Sequence, residues 1–359
     1  MYNVAIIGCG RISHKIAEGV AKNNDRMKLV VLCDPIEEKM FETEKTYNKK
    51  VEKENTILKY KDYKEILKEN KVDIAIIATE SGYHEEIGLY FLENGVNLII
   101  EKPLAMSIEG AQKLVDTAKK NNLKLAASHQ NRFNYPIQLL KKAIKENRLG
   151  RIFNGMARIL WTRDDNYYLQ APWRGTWALD GGTLMNQCIH NIDLINWMMD
   201  DEIDTVYAQT SNYIRNIEAE DYGVILIRYK SGKIATIEGS AIVYPKNLAE
   251  TLTVTGEKGT VVIGGMAVNK INTWRVEGDN EQEYLSIDCG DPNSVYGYGH
   301  EALYKDFVDA LDENREPLVN GIAGLNAVKI ILAAYKSQKT GSAIKFDEFK
   351  EFSTLDMKA

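Results

Sequence analysis

Val4-Ala5-Ile6-Ile7-Gly8-Cys9-Gly10-Arg11-Ile12-Ser13 runs four apolar residues into a glycine turn, and a helical segment follows to about Lys22. Strand, Gly-x-Gly-x-x-small and helix, in that order, form a dinucleotide-binding fingerprint in the context it requires. Gly8 permits the tight turn. Gly10 lets a pyrophosphate approach the backbone at the helix N-terminus. Ser13 stands at the third glycine position, which asks only for a small residue. Arg11 and Ile12, inside the turn, join the candidate cofactor contacts.

The next apolar run, Leu29 to Cys33, ends in Asp34. An acidic residue roughly 20 residues past the fingerprint hydrogen-bonds the ribose hydroxyls of NAD. It repels the extra phosphate of NADP, and Pro35-Ile36-Glu37 offers no arginine clamp for one. Further strands are expected at Val72–Ala78, Asn97–Ile100 and Lys124–Ala127, with helices between them. Thr79 to His84 and Glu101-Lys102-Pro103 follow strand ends, where doubly wound sheets bind ligands. Thr79, His84, Glu101 and Lys102 are therefore cofactor-side candidates, although a helix-capping role suits His84 better. The bond before Pro103 is a candidate for the cis form. Alternation of strand and helix to about residue 130 implies a mostly parallel sheet covered on both faces.

The pattern then changes. Arg151–Trp161, Thr205–Tyr213, Tyr222–Tyr229, Lys233–Val243, Glu250–Thr255 and Thr260–Ile263 look like strands separated by short turns. That pattern predicts a large open antiparallel sheet in a second, α+β domain. The expected division is 1–130 for the NAD-binding domain and 131–359 for substrate binding and oligomerisation. Helices near Glu301–Glu313 and Gly321–Lys339 are candidates to pack back on the first domain.

Between those strands lies Asp180-Gly181-Gly182, followed by a helical period to Met199. Met185, Ile189, Ile192 and Met199 make an apolar stripe. Asn186, His190 and Asp193 make a polar stripe beside it, where a surface helix would carry Lys and Glu. The intrinsic pKa of histidine is close to neutral, which makes His190 a candidate for proton transfer. Asp193 either orients that imidazole or bonds backbone elsewhere.

Composition narrows the classes. The chain has 359 residues, 44 % hydrophobic and 27 % charged, with a net charge of −6. That length suits two domains, and that balance argues against nucleic-acid or membrane partners. No apolar run approaches a membrane span, and a strand at the very start leaves no room for a signal peptide. Four scattered cysteines lack metal-ligand spacing, so no metal site and a cytoplasmic setting with free thiols are expected.

Taken together, the fingerprint, the Glu101-Lys102-Pro103 turn and Gly181-Gly182 with His190 and Asp193 resemble the Gfo/Idh/MocA oxidoreductases over essentially the whole chain. The resemblance implies that Lys102 and His190 line the nicotinamide side of the site. It implies a homotetramer or homodimer paired through the antiparallel sheet. Relatives commonly carry Asp where Asn186 stands. Trp161-Thr162-Arg163, Tyr167-Tyr168, Gln170-Ala171, Trp173 to Trp177, Leu184 to Gln187 and Gln130 to Asn134 are similar to the branch that oxidises UDP-N-acetyl-2-amino-2-deoxyglucuronate at its 3-position.

Such a substrate carries a diphosphate and a carboxylate, which planar guanidinium donors suit. Arg132, Arg163 and Arg174 are the candidates, with Asn131, Trp173, Asn186 and Gln187 for the sugar. Lys102 either stabilises an alkoxide or, with a lowered pKa, acts as the base. Arg163 has Asp164 and Asp165 as rival partners, and Trp177 is as well suited to the core. Tyr296, Tyr298 and His300 are candidates to close the site. Two other readings stand beside this one: a dehydrogenase of a free sugar or cyclitol, and a non-catalytic NAD-binding sensor.

Overall fold

The computed structural model describes residues 1–290 and 297–358. The chain divides into two compact units: 1–128 with 300–325, and 129–299 with 326–359.

The first unit carries a six-stranded, all-parallel sheet. Its strands are β1 (Tyr2–Ile7), β2 (Met27–Cys33), β3 (Leu58–Tyr60), β4 (Ile74–Ile77), β5 (Asn97–Ile100) and β6 (Leu125–Ala127), in the order β3-β2-β1-β4-β5-β6. The order reverses between β1 and β4, which makes the ligand crevice at the strand C-termini. Val4, Ala5 and Ile6 are fully buried, as are Ile74 to Ile77 and Leu98 to Ile100. Strands covered on both faces read as continuous apolar runs for this reason. Helices α1 (Ser13–Lys22), α2 (Glu37–Val51), α3 (Ile66–Glu69), α4 (His84–Glu93) and α5 (Ile108–Lys120) alternate with the strands. Ser107 caps α5 by accepting from Gly110 N–H, 2.9 Å. The later segment 300–325 completes this unit: Ala127 N–H donates to Val319 O at 3.2 Å. Tyr304 lies so close to α1 that a Cβ on Gly19 would meet its ring at 2.6 Å.

The second unit is built on an eight-stranded sheet. Helix α6 (Tyr135–Lys145) and strand β7 (Ile152–Leu160) lead into α7 (Asp165–Leu169), α8 (Thr183–Asn186) and α9 (Ile189–Met199). Then come β8 (Ile203–Ser211), β9 (Tyr222–Tyr229), β10 (Ile234–Ser240), β11 (Ala249–Gly256), β12 (Gly259–Gly264) and β13 (Lys270–Val276). The chain ends with α10 (Glu281–Leu285), α11 (Gly299–Asp312), α12 (Gly321–Thr340) and the short β14 (Ile344–Lys345). The sheet order is β13-β12-β11-β7-β10-β9-β8-β14. It is not wholly antiparallel as expected, because β7 and β10 pair in parallel. The expectation followed consecutive turns, whereas β7 is separated from its neighbours by the whole α7–α9 excursion.

One face of this sheet receives α8 and α9. Glycines make the approach possible: a Cβ on Gly155 would meet Met199 at 2.7 Å, and one on Gly223 would meet Leu184 at 2.9 Å. The other face leaves Phe153, Met156, Tyr207, Leu226 and Ile234 exposed. Among the described residues no helix is long and apolar enough to cross a membrane.

Candidate active site

In the first unit, the glycine turn has the shape that a dinucleotide requires. Gly8 has φ +92°, and a Cβ there would meet Thr79 N at 2.7 Å. A Cβ on Gly10 would meet no protein atom within 4 Å, so the backbone there faces open space. Ser13 is fully buried, and its Oγ bonds Gly10 O at 2.7 Å and Thr43 Oγ1 at 2.9 Å, tying the turn to α2. Asp34 accepts from Cys9 N–H at 2.8 Å through Oδ2 and from Ile36 N–H at 2.9 Å through Oδ1. Each oxygen retains a lone pair for a ribose hydroxyl. The residues present fit NAD: an open backbone for the diphosphate and a fixed carboxylate for the ribose. Arg11 is exposed and Ile12 half-buried in the same turn, and Thr79 is half-buried just past β4.

His84 departs from its place among the cofactor contacts. It is 1 % exposed; Nδ1 lies 2.7 Å from Pro103 O and Nε2 lies 3.2 Å from Thr79 O. Burial lowers its pKa, so the ring is neutral and donates to one carbonyl at a time. Its geometry staples two strand-end loops together and leaves no ring nitrogen for a cofactor. The Lys102–Pro103 peptide is cis, and Lys102 is half-buried. Glu101 is 8 % exposed, and burial raises its pKa.

In the second unit, Gly181 has φ +78° and opens the turn before α8. A Cβ on Gly182 would collide with the Glu220 carboxyl. Glu220 accepts from Leu184 N–H at 2.8 Å and from Tyr335 Oη at 3.0 Å. Burial pushes its pKa up to about 8, so it carries a proton at neutral pH. The single helix expected from Thr183 to Met199 is interrupted. Gln187 N–H bonds Thr183 O four residues back, and Cys188 N–H bonds the same carbonyl five residues back. This π-type widening is common at functional sites and turns His190 away from strict alignment with Asn186. Met185, Ile189, Ile192 and Met199 are all fully buried, as the apolar stripe predicts.

The polar stripe is taken up by specific partners. Asn186 donates from Nδ2 to Asp180, whose other oxygen accepts from Gly175 N–H at 2.7 Å. His190 is half-buried and stands edge-to-face with His129, ring centroids 5.7 Å apart. Of the two roles open to Asp193, it does not orient His190 but bonds elsewhere, to a side chain rather than to backbone. It pairs with Arg132, which donates from Nε and Nη2 at 2.7 and 2.6 Å. Arg132 was a candidate for a substrate anion, but its guanidinium is only 8 % exposed and also covers the Trp197 ring at 4.8 Å. A buried arginine already held in a bidentate fork is not available to a ligand. Asn131 is likewise buried, at 3 % exposure.

The other candidates converge on Tyr167. Arg174 donates to its hydroxyl at 2.6 Å and lies over its ring at 4.3 Å; Arg163 lies over the same ring at 5.3 Å. Gln187 Nε2 donates to that hydroxyl at 3.2 Å. Trp161 backs Arg163 and Trp173 backs Arg174, both at 4.7 Å. The two rival acids go elsewhere: Asp164 accepts from Tyr167 N–H at 2.9 Å, and Asp165 takes Arg215 at 3.3 Å. The carboxyl of Glu250, which senses Arg163, is pushed by burial up to about 8 and is protonated at neutral pH. Two guanidinium groups thus share an aromatic cradle with no ionised carboxylate among their described partners. Sequence reasoning overlooked Tyr167 as the centre; its signal was its place between the two arginines. Trp177 belongs to the core, edge-on to Tyr335 at 5.1 Å. His300 is not a closing residue: it is 5 % exposed and inside the first unit. Tyr298 is exposed, and Tyr296 lies outside the described residues.

Comparison with known proteins identifies the family. Residues 2–129 match the oxidoreductase family with an NAD-binding Rossmann fold, and residues 137–262 match the GFO/IDH/MocA C-terminal domain. The WlbA dehydrogenase from Bordetella pertussis, solved with NADH and UDP-GlcNAcA, is 32 % identical, with TM-score 0.85 over 96 % of this chain and 98 % of that one. The WlbA enzyme of Chromobacterium violaceum, also with NADH and UDP-GlcNAcA, is 32 % identical, with TM-score 0.85 over 96 % and 95 %. Myo-inositol 2-dehydrogenase of Thermotoga maritima is 25 % identical over 350 residues, 96 % of this chain and 98 % of that protein. With both family domains matched in order and the nucleotide turn intact, the chain belongs to the Gfo/Idh/MocA oxidoreductases, takes NAD as its cofactor, and stands among sugar and cyclitol dehydrogenases.

Proposed function

We propose that the chain oxidises the 3-hydroxyl of a UDP-linked N-acetylated glucuronate. The observation that carries this reading is the Arg163–Tyr167–Arg174 cradle, two cations without an ionised carboxylate among their described partners. A free polyol has no anion to satisfy them, whereas a nucleotide uronate has both a diphosphate and a carboxylate. The two WlbA structures with UDP-GlcNAcA support the same substrate class. NAD supplies the hydride acceptor. Lys102 and His190 handle the hydroxyl proton, one as base and the other holding the oxygen. Gln187 and Asn186 position sugar hydroxyls.

The reading is tested by following NAD reduction with UDP-GlcNAcA and with myo-inositol. Turnover with the first and none with the second is expected. Arg174→Met should raise KM for the sugar nucleotide about 10- to 100-fold, since a charge-assisted contact contributes about 1.5–3 kcal/mol. Turnover with myo-inositol alone, together with no binding of UDP, supports the free-cyclitol reading that the Thermotoga enzyme favours. Failure with every sugar, alongside tight NAD binding, supports a sensor.

NAD should bind at least tenfold more tightly than NADP, because a carboxylate at the end of β2, such as Asp34, repels the extra phosphate. Equal affinities in a fluorescence titration would remove Asp34 from that role. We also assign the exposed apolar face of Phe153, Met156, Tyr207, Leu226 and Ile234 to a homodimer or homotetramer contact. Light scattering should give a mass at least twice that of one chain, and Met156→Lys with Leu226→Lys should reduce it; a monomeric parent chain overturns the assignment. A cytoplasmic setting belongs to the same reading.

A further inference from the structure

Beneath the Glu101-Lys102-Pro103 turn, the first unit encloses a small group of polar side chains. Glu101, Ser128, His300 and Tyr304 are 8, 0, 5 and 0 % exposed. His300 Nε2 lies 3.8 Å from Glu101 Oε1, beyond hydrogen-bond distance. The His300 and Tyr304 rings are 6.4 Å apart, one turn along α11. Ser128 follows β6 and is held there by its N–H bond to Ile100 O, 2.8 Å. Among the described residues, Glu101 Oε1, His300 Nε2 and Tyr304 Oη have no hydrogen-bond partner, and the Ser128 hydroxyl lies close enough to the Glu101 carboxyl to favour its ionised form. Three orphaned polar atoms in one buried place are a pattern that ordered water completes.

The composition of this chamber has a chemical consequence. Ser and Tyr hydroxyls and a bridging water can each donate or accept. Through such a water the group can donate to Glu101 when it is a carboxylate and accept from it when it is an acid. A carboxyl among such partners is at ease in both states, unlike one held by arginine. Glu101 also follows β5 at the ligand edge of the sheet, whereas Asp34 follows β2. Across the reversal of strand order, a dinucleotide held by Asp34 at one end brings its other end toward β4 and β5. That end is the nicotinamide, which is cationic in NAD+ and neutral in NADH.

We infer that Glu101, in its chamber with Ser128, His300 and Tyr304, gives up a proton when NAD+ binds and keeps it when NADH binds. The balance is one proton, between Glu101 and solvent, for one positive charge on the ring. This inference requires NAD but not any particular sugar.

The groups facing Glu101 are Lys102 beside it, Ser128 from the end of β6, and His300 and Tyr304 from α11. Lys15 on α1 faces His300. Burial lowers His300 to about 4 and drives Tyr304 upward, so both stay neutral over the useful pH range. Burial raises Glu101 above its ordinary value, toward that range. A nearby cation lowers the pKa of a carboxyl, so NAD+ should bind more tightly as pH rises through that of Glu101, and NADH should not.

The experiment is to measure dissociation constants of NAD+ and NADH on the full chain from pH 5 to 9 by fluorescence or calorimetry. The NAD+/NADH ratio should fall at least about fivefold over that range, with a limit of about tenfold per pH unit for one proton. Glu101→Gln should make the ratio flat within about twofold. Tyr304→Phe removes a hydroxyl that supports the carboxylate through the bridging water, so it should keep the fall but move it to higher pH. A flat ratio in the parent chain overturns the inference. So does a fall that survives Glu101→Gln, which would belong to Lys102. If Glu101→Gln does not fold, an unmoved transition in Tyr304→Phe overturns it.

Discussion

His190→Asn should lower turnover about 10²- to 10⁴-fold, the range that positioned proton transfer contributes. The assay is NAD reduction with UDP-GlcNAcA. Near-parent turnover would remove His190 as a catalyst. The substitution should not disturb the fold. Its side chain is half-buried, while the residues that fix α9 (Ile189, Ile192, Met198 and Met199) are fully buried and unchanged. Each such side chain contributes on the order of 1.5–3 kcal/mol by burial. NAD affinity should also persist, because Gly8, Gly10 and Asp34 lie in the other unit. A variant that binds NAD, melts normally and does not turn over separates loss of chemistry from loss of structure. His129 provides a second readout. Its ring contacts His190 at 5.7 Å, so His129→Phe should keep the packing yet shift the pH profile of kcat.

Asp193→Ala should be the most damaging single change to stability. It leaves Arg132 charged, 8 % exposed and without its bidentate partner. Breaking one side of a buried pair costs about 3–5 kcal/mol, against a total stability of about 5–15 kcal/mol for a typical domain. Urea unfolding followed by Trp197 fluorescence is a direct measure, since Arg132 lies over that ring. Replacing both partners, Arg132→Met with Asp193→Leu, should recover most of the loss, because the penalty lies in the unpaired charge. A loss below about 1 kcal/mol for Asp193→Ala would mean that water reaches the pair.

These two cases show where sequence reading succeeds and where it stops. His190 was visible because it interrupts a helix whose other spacing is apolar. Asp193 was visible for the same reason, but its partner was not. Arg132 is 61 residues away, and an i, i+3 relation to His190 offered a nearer and wrong one. Strand β13 was missed because a register shift between Val262 and Ile263 breaks its alternation against β12. The interruption of the helix at Gln187–Cys188 leaves no mark in composition or period.

From sequence alone, five of the six strands of the first unit were legible, with their parallel type, the nucleotide turn and the cofactor; β3 was not. The reason is locality. A parallel sheet buried on both faces writes continuous apolar runs, and a diphosphate turn needs glycines and an acid at short fixed separations. Tertiary structure alone decided which polar groups meet. It put Arg132 on Asp193, drew Arg163, Arg174 and Gln187 around Tyr167, set β7 parallel to β10, and brought His300 to Glu101 from 199 positions away. Such pairings rest on burial and direction, which a side chain acquires only when distant segments pack against it.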